Sequence, residues 1–201
     1  DGRADPAVVT AATACGIRTI YKAGGAQAIA AMAYGTATVP KVLKIFGPGN
    51  AWVTAAKTLV AADPDGAALD MPAGPSEVMV IADAEANPRF VALDLLSQAE
   101  HGPDSHAVLV CTDRTMVAAV QAEIDRLIDG MPRRDVIRAS LEGRGALILT
   151  RDMDEACAIS NRIAPEHLEV SSSDPHRWEP LLRHAGAIFL GAYTSESLGD
   201  Y

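Results

Sequence analysis

Two pairs of side chains in this sequence stand at spacings suited to chemistry. Gln98 and His101 are three residues apart near the end of residues 93–104, in a helix that Asn87-Pro88 starts and Gly102-Pro103 stops, so both fall on its last turn and on one face. An imidazole with a neighbouring amide or carboxylate oxygen can bind a divalent ion such as zinc, and a helix fixes their separation. The spacing equally suits a histidine that compensates the helix dipole, and Gln is an uncommon ligand. The second pair is Glu166 and His167, which follow Pro165 at a constrained corner. A carboxylate beside an imidazole supplies two proton acceptors of different intrinsic pKa. On an extended segment adjacent residues point to opposite sides, so the two can serve different steps, or one is only structural. His106, His176 and His184 have no such neighbours in sequence and default to surface or packing roles.

The elements that must hold these pairs alternate between helix and strand. Residues 6–15 read as a helix ending at Gly16, and residues 17–21 as a short strand. Gly24-Gly25 then opens an Ala-rich helix over 26–34 that carries Gln27 in its first turn. The unit repeats with a strand over 42–46, the turn Gly47-Pro48-Gly49-Asn50 and a helix over 51–60. In parallel α/β architecture such turns gather at the carboxyl edge of the sheet, where helix amino termini favour anionic groups such as a pyrophosphate. Gly-Pro-Gly-Asn is not the Gly-x-Gly-x-x-Gly fingerprint, and a tight connection without a ligand stays open. Residues 70–77 form a loop stiffened by Pro72, Gly74 and Pro75, suited to positioning a ligand or to crossing between two lobes.

Alternation then continues: a strand over 78–81, helix 88–100, strand 107–111, helix 114–129, a further helix near 135–141, strand 146–149, helix 152–162 and strand 168–170. Both halves are thus αβ-layered, with a boundary near residues 81–83. The mixed charges of residues 123–135 read as a solvated face with ion pairs.

Composition sets the outer limits. A chain of 201 residues, 49% hydrophobic, with positive mean hydropathy, has room for one or two domains and a proper core. Aromatic residues at 4% disfavour a β-sandwich, and a net charge of -9 with no basic run argues against a nucleic-acid groove. No apolar stretch is long enough to span a membrane, which leaves small-molecule chemistry. Cys15, Cys111 and Cys157 are too widely spaced for a metal knuckle and read as buried small hydrophobes in a reducing compartment, the cytoplasm. The start at Asp1 and the stop in Leu198-Gly199-Asp200-Tyr201 suggest a section of a longer chain.

Five stretches carry a resemblance. Gly24-Gly25-Ala26-Gln27-Ala28-Ile29-Ala30, Phe46-Gly47-Pro48-Gly49-Asn50, Asp70-Met71-Pro72-Ala73-Gly74-Pro75-Ser76-Glu77, the segment from Leu95 to Asp104, and Ala164-Pro165-Glu166-His167-Leu168 resemble, in number and order, the successive motifs of the L-histidinol dehydrogenases. The resemblance implies a homodimeric, zinc-dependent enzyme with one Zn2+ per subunit, taking L-histidinol through an enzyme-held aldehyde to L-histidine with two molecules of NAD. It implies an α/β fold of two incomplete Rossmann-like αβα lobes related to aldehyde dehydrogenases. Residues 1–80 would belong to the NAD-binding lobe and 81–201 to the zinc and substrate lobe.

Residue by residue, the resemblance makes Gln98, His101 and Asp200 metal ligands, His167 the general base, and Glu166 the residue that activates water for the aldehyde step. Gln27 and Asn50 match NAD contacts. Ser76, Gln98, His101, His167 and Asp200 match substrate contacts. The family's fourth zinc ligand, a histidine delivered by the partner subunit, and a tyrosine of its NAD site fall in regions that this sequence lacks. A chain of this length is therefore expected to be catalytically incomplete and to expose apolar surface where those regions pack. Two other readings stand beside this one: a paralogue acting on another alcohol such as a sulfonated propanediol, against which Ser76 argues, and a non-catalytic piece.

Overall fold

Within residues 78–82, Val78, Val80 and Ala82 are apolar toward one layer of helices and Met79 and Ile81 toward another, which places this strand in the middle of its half of the molecule. The structure, a computed structural model, describes residues 3–72, 74 and 76–200, Asp200 through its backbone only. It forms two compact units, Asp1–Gly74 and Pro75–Tyr201.

In the first unit, α1 (Pro6–Ala14) is capped by Asp5, whose carboxylate accepts from the amide of Ala7, and it buries none of its residues. Cys15 follows it and is exposed, contrary to the expectation of a buried thiol, because the helix has no packed face. Residues 17–21 pair with no strand among the described residues and remain exposed, so the strand expected there is not formed. Next come α2 (Gly25–Tyr34), β1 (Lys44–Ile45), α3 (Ala51–Ala62) and β2 (Ala68–Leu69), with β1 and β2 pairing in parallel, Ile45 opposite Leu69. Ile29, Ala33, Ile45, Val60 and Ala67 make a small core. Buried Lys57 donates to the Gly47 carbonyl and to the Asp70 carboxylate, which also accepts from the Gly47 amide. These bonds tie the 47–50 turn to the Asp70 loop; the bond from Lys57, followed by the Gly47 amide, holds the Asp70 carboxyl well below the usual range.

The second unit contains β3 (Glu77–Ala82), α4 (Pro88–Ala99), β4 (His106–Cys111), α5 (Arg114–Ile128), α6 (Arg134–Arg144), β5 (Ala146–Leu149), α7 (Met153–Ile163), β6 (His167–Ser171) and β7 (Ala187–Leu190). Short 3₁₀ turns occupy Pro175–Arg177, Glu179–Leu181 and Glu196–Asp200. All strand pairs are parallel, in the order β5-β4-β3-β6-β7. The chain winds outward from β3 to β5, then returns to lay β6 on the other side of β3, so the strand order reverses between β3 and β6.

Val78, Val80 and Ala82 pack with Leu95, Leu96, Val120, Ile124 and Ile137 from α4, α5 and α6. Met79, Ile81, Leu168 and Val170 pack with Ala156 and Cys157 of α7 on the opposite face. The unit is therefore a three-layer α/β/α sandwich, and the expected layering holds in it. The boundary expected at residues 80 and 81 falls inside β3; the contact division precedes that strand because β3 is the centre of the second unit's sheet. Among the described residues no helix is long and apolar enough to cross a membrane.

Candidate functional site

The site residues of the second unit are delivered by the amino ends of its central strands and the carboxyl end of α4. Asn87 starts α4 by accepting from the amides of Arg89 and Phe90 at 3.0 and 3.3 Å. The helix then buries Val91, Ala92, Leu95, Leu96 and Ala99, a face that fixes its rotation and leaves Gln98 only 2% exposed. It ends at Ala99, so His101 lies just past the helix and not on its last turn; its amide still donates to the Gln98 carbonyl at 3.2 Å.

Gln98 and His101 meet as their spacing predicts, with Gln98 Nε2 at 3.2 Å from His101 Nδ1. Ser76 Oγ lies 3.4 Å from the same nitrogen, and Gln98 Oε1 lies 3.4 Å from His167 Nδ1. A continuous line of contacts thus runs Ser76, His101, Gln98, His167. His167 opens β6 opposite Val78 and leans its ring against Phe189, centroids 5.9 Å apart.

Glu166 stands one residue before the strand. Its Oε2 accepts from the Glu77 amide at 3.2 Å, while Glu77 Oε2 accepts from the Glu166 amide at 3.3 Å. The same Glu166 Oε2 is 3.8 Å from His167 Nδ1, so the two side chains do not diverge as adjacent strand residues would. The reason is the corner that precedes them: Ala164 takes a left-handed φ of 55° as α7 ends, and extended pairing begins only at His167. A left-handed alanine costs about 1 kcal/mol, strain that the surrounding contacts must hold.

Two site residues were not assigned a role from the sequence. Glu77 holds Glu166 by the reciprocal pair just described, and its Oε1 stands 3.6 Å from His106 Nδ1. That nitrogen is buried and has no hydrogen-bond partner among the described residues, while the His106 amide donates to the Ser76 carbonyl at 2.9 Å. The signal lay in the strand starts: Glu77, His106 and His167 open neighbouring parallel strands and must lie along one edge. That edge is the amino edge, whereas ligands of parallel α/β sheets usually gather at the carboxyl ends. At the carboxyl ends of β3 and β6, Asp83 accepts from the amide and hydroxyl of Ser173 at 2.8 and 3.0 Å and ties the two exits together.

Gln27 and Asn50 belong to the first unit. Gly24, the N-cap of α2, offers no side-chain cap, and Gly25 has φ 73° with the Gln27 amide folded close above it. An uncapped helix start with a glycine in a left-handed turn suits an anionic group such as a pyrophosphate. Asn50 caps α3, its Oδ1 accepting from the Val53 amide at 3.1 Å, which is a structural task independent of any ligand.

For zinc, the donor types fit, an amide oxygen from Gln98 and an imidazole nitrogen from His101, although it is the amide nitrogen that lies 3.2 Å from His101 Nδ1 while the amide oxygen faces His167. Among the described residues no group of three or more His, Cys, Asp or Glu side chains is placed to hold a metal, since Gln98 is an amide and the side chain of Asp200 lies outside them.

Fold and site together define a parallel α/β protein with an imidazole and a carboxylate side by side next to a nitrogen and oxygen donor group. The chain belongs to the histidinol dehydrogenase family, whose sequence model matches residues 1–201. It is 56% identical over 200 residues to the histidinol dehydrogenase of Nitrosomonas europaea, covering 100% of this chain and 46% of that protein. Its identity to the Bordetella parapertussis histidinol dehydrogenase is 55% over 201 residues, 45% of that protein. The crystal structure of histidinol dehydrogenase from Elizabethkingia anophelis superposes with a TM-score of 0.88 at 46% identity, covering 98% of this chain and 45% of that one. The chain thus spans under half the length of these relatives.

Proposed function

We propose that the native polypeptide containing this chain oxidises L-histidinol through histidinal to L-histidine, the last two steps of histidine biosynthesis, with NAD and one zinc ion per subunit. The observation that carries this reading is the line Ser76, His101, Gln98, His167, with Glu166 beside it. Gln98, His101 and Asp200 would hold the metal, Ser76 would contact the substrate, and Gln27 and Asn50 would contact NAD. Zinc supplies a Lewis-acidic anchor for the substrate, and NAD supplies the hydride acceptor.

The chain's own residues move the protons. With Nδ1 of His167 donating toward Gln98 Oε1, Nε2 is the free acceptor, and it takes the hydroxyl proton as hydride leaves the same carbon. In the second step Glu166 takes a proton from the water that adds to the aldehyde carbonyl. Its bond from the Glu77 amide keeps the carboxylate aimed while that proton moves. The two units would be Rossmann-like lobes of the kind found in aldehyde dehydrogenases, the first binding NAD and the second zinc and substrate. The enzyme would work in the cytoplasm as a homodimer whose partner subunit completes the site.

The test is NADH formation from L-histidinol by the zinc-loaded native polypeptide, with a sulfonated propanediol run in parallel. Two NADH per histidinol are expected, with a fall of roughly 10²–10⁴-fold in His167→Ala. A metal-replete native polypeptide that leaves histidinol untouched overturns the reading, and turnover of the sulfonated alcohol alone transfers it to a different substrate.

A further inference from the structure

Beneath His167 lies a group of carboxyls for which the proposed chemistry has no use. Glu169 is two residues along β6, on the same face as His167, and is 4% exposed; Glu196, in the Glu196–Asp200 turn, is 8% exposed. Asp94, one helical turn before Gln98 on α4, faces the Glu169 carboxyl. Among the described residues no Lys, Arg or His forms an ion pair with any of the three. Buried carboxyls that face one another without a cation favour holding a proton between them over ionising together.

Every remaining bond of this group leads to one segment. The Glu196 amide donates to Glu169 Oε1 at 2.8 Å, Ser97 Oγ donates to Glu196 Oε1 at 2.6 Å, and Ser195 Oγ donates to Asp94 Oδ1 at 3.3 Å. Ser97 is the neighbour of Gln98, so the segment is bound to the very turn that presents the amide. At its far end Gly199 packs so close to Phe189 that a Cβ there would come within 2.9 Å of the ring, and Phe189 is the ring against which His167 leans.

We propose that Asp94, Glu169 and Glu196 are positioning residues: a proton-sharing carboxyl latch that docks residues 195–200 on α4 and so fixes the backbone from which Asp200 reaches the metal. The proposal rests on the reading of Asp200 as a ligand. It assigns to Glu169 a role through Asp200, with no contact to substrate. The latch needs a donor at Glu169 for Asp94 and an acceptor for the Glu196 amide. A glutamine supplies both and an alanine neither.

The experiment uses the full-length native polypeptide and its Glu169→Ala, Glu169→Gln and Ser97→Ala variants. Hydrogen exchange of the amides of residues 195–200 is measured without metal, and zinc retention is measured by chelator competition. In Glu169→Ala, exchange of this segment is expected to rise at least tenfold and zinc retention to fall at least tenfold. Glu169→Gln restores both, and Ser97→Ala, which removes one bond to Glu196, falls between. Folded Glu169→Ala or Ser97→Ala protein with unchanged protection of 195–200 overturns the latch. Raised exchange with unchanged zinc retention overturns the link to Asp200. A wild-type polypeptide that binds no zinc sinks the reading of the site instead, and the exchange arm still decides the latch.

Discussion

Glu166 has two tasks that one substitution can separate. Its carboxylate accepts from the Glu77 amide and stands 3.8 Å from His167 Nδ1, so it is a brace and, in the proposed mechanism, also a proton acceptor. Glu166→Gln keeps a carbonyl for the amide and removes the basicity. The first oxidation is therefore expected to continue while conversion of histidinal to histidine falls roughly 10²–10⁴-fold, a change read as histidinal oxidation rate against histidinol oxidation rate. Equal losses in both steps would show that only the brace matters. At this scale much of the site was legible: Gln98 with His101 and Glu166 with His167 were marked by spacing, and the structure brings all four together with Ser76. Glu77 was not, because its partner Glu166 is 89 residues away and only strand pairing makes them neighbours. Glu169 was hidden for the same reason: in sequence it looks like an ordinary strand glutamate, and its partners come from α4 and the Glu196–Asp200 turn.

Elements with their own local signals were read within a residue or two, and elements defined by their partners were not. Helices α3, α4 and α5 begin where Asn50, Asn87 and Asp113 cap them, and each cap bond forms. The strand expected over 17–21 has β-branched residues but no neighbour to pair with among the described residues. Strand β7 passed unnoticed because Ala187–Leu190 is short and half-buried, yet it pins the corner that carries Glu166. The Gly186 amide donates to the Pro165 carbonyl at 3.0 Å and the Ala187 amide to the Glu166 carbonyl at 2.9 Å. A Cβ on Gly186 would lie 2.7 Å from that Glu166 carbonyl oxygen, a backbone atom that cannot swing aside. Gly186→Ala is expected to destabilise the native polypeptide by about 1–3 kcal/mol through this overpacking and to lower kcat by displacing Glu166. Urea unfolding and steady-state kinetics measure the two effects. Wild-type values for both would mean that β7 shifts freely and does not hold Glu166 rigidly.

For the molecule as a whole, the buried carboxyl pair sets how stability answers to pH. The first unit leaves Leu43 90% and Trp52 79% exposed, so much of the folding free energy rests on the second unit's two cores. Glu169 sits inside one of their margins, and burial, then the neighbouring Asp94, pushes its carboxyl up to about 9, while burial also raises Asp94. The groups facing Glu169 are Asp94 from α4 and Glu196 from the turn, both acidic, and among the described residues no Lys, Arg or His pairs with Glu169 to reverse that direction. Between about pH 4.5, where an unfolded glutamate releases its proton, and about pH 9, the folded protein holds a proton that the unfolded chain has lost. Raising pH through that window therefore favours unfolding; the stability is fully present below it and is lost as pH approaches the folded value. The full-length native polypeptide is expected to show a lower urea midpoint at pH 9 than at pH 6, a loss on the order of a few kcal/mol. Glu169→Gln, neutral at both values, should flatten that slope. A wild-type midpoint independent of pH, or a Gln variant with the same slope, would mean that the proton is not held where Asp94 and Glu169 meet.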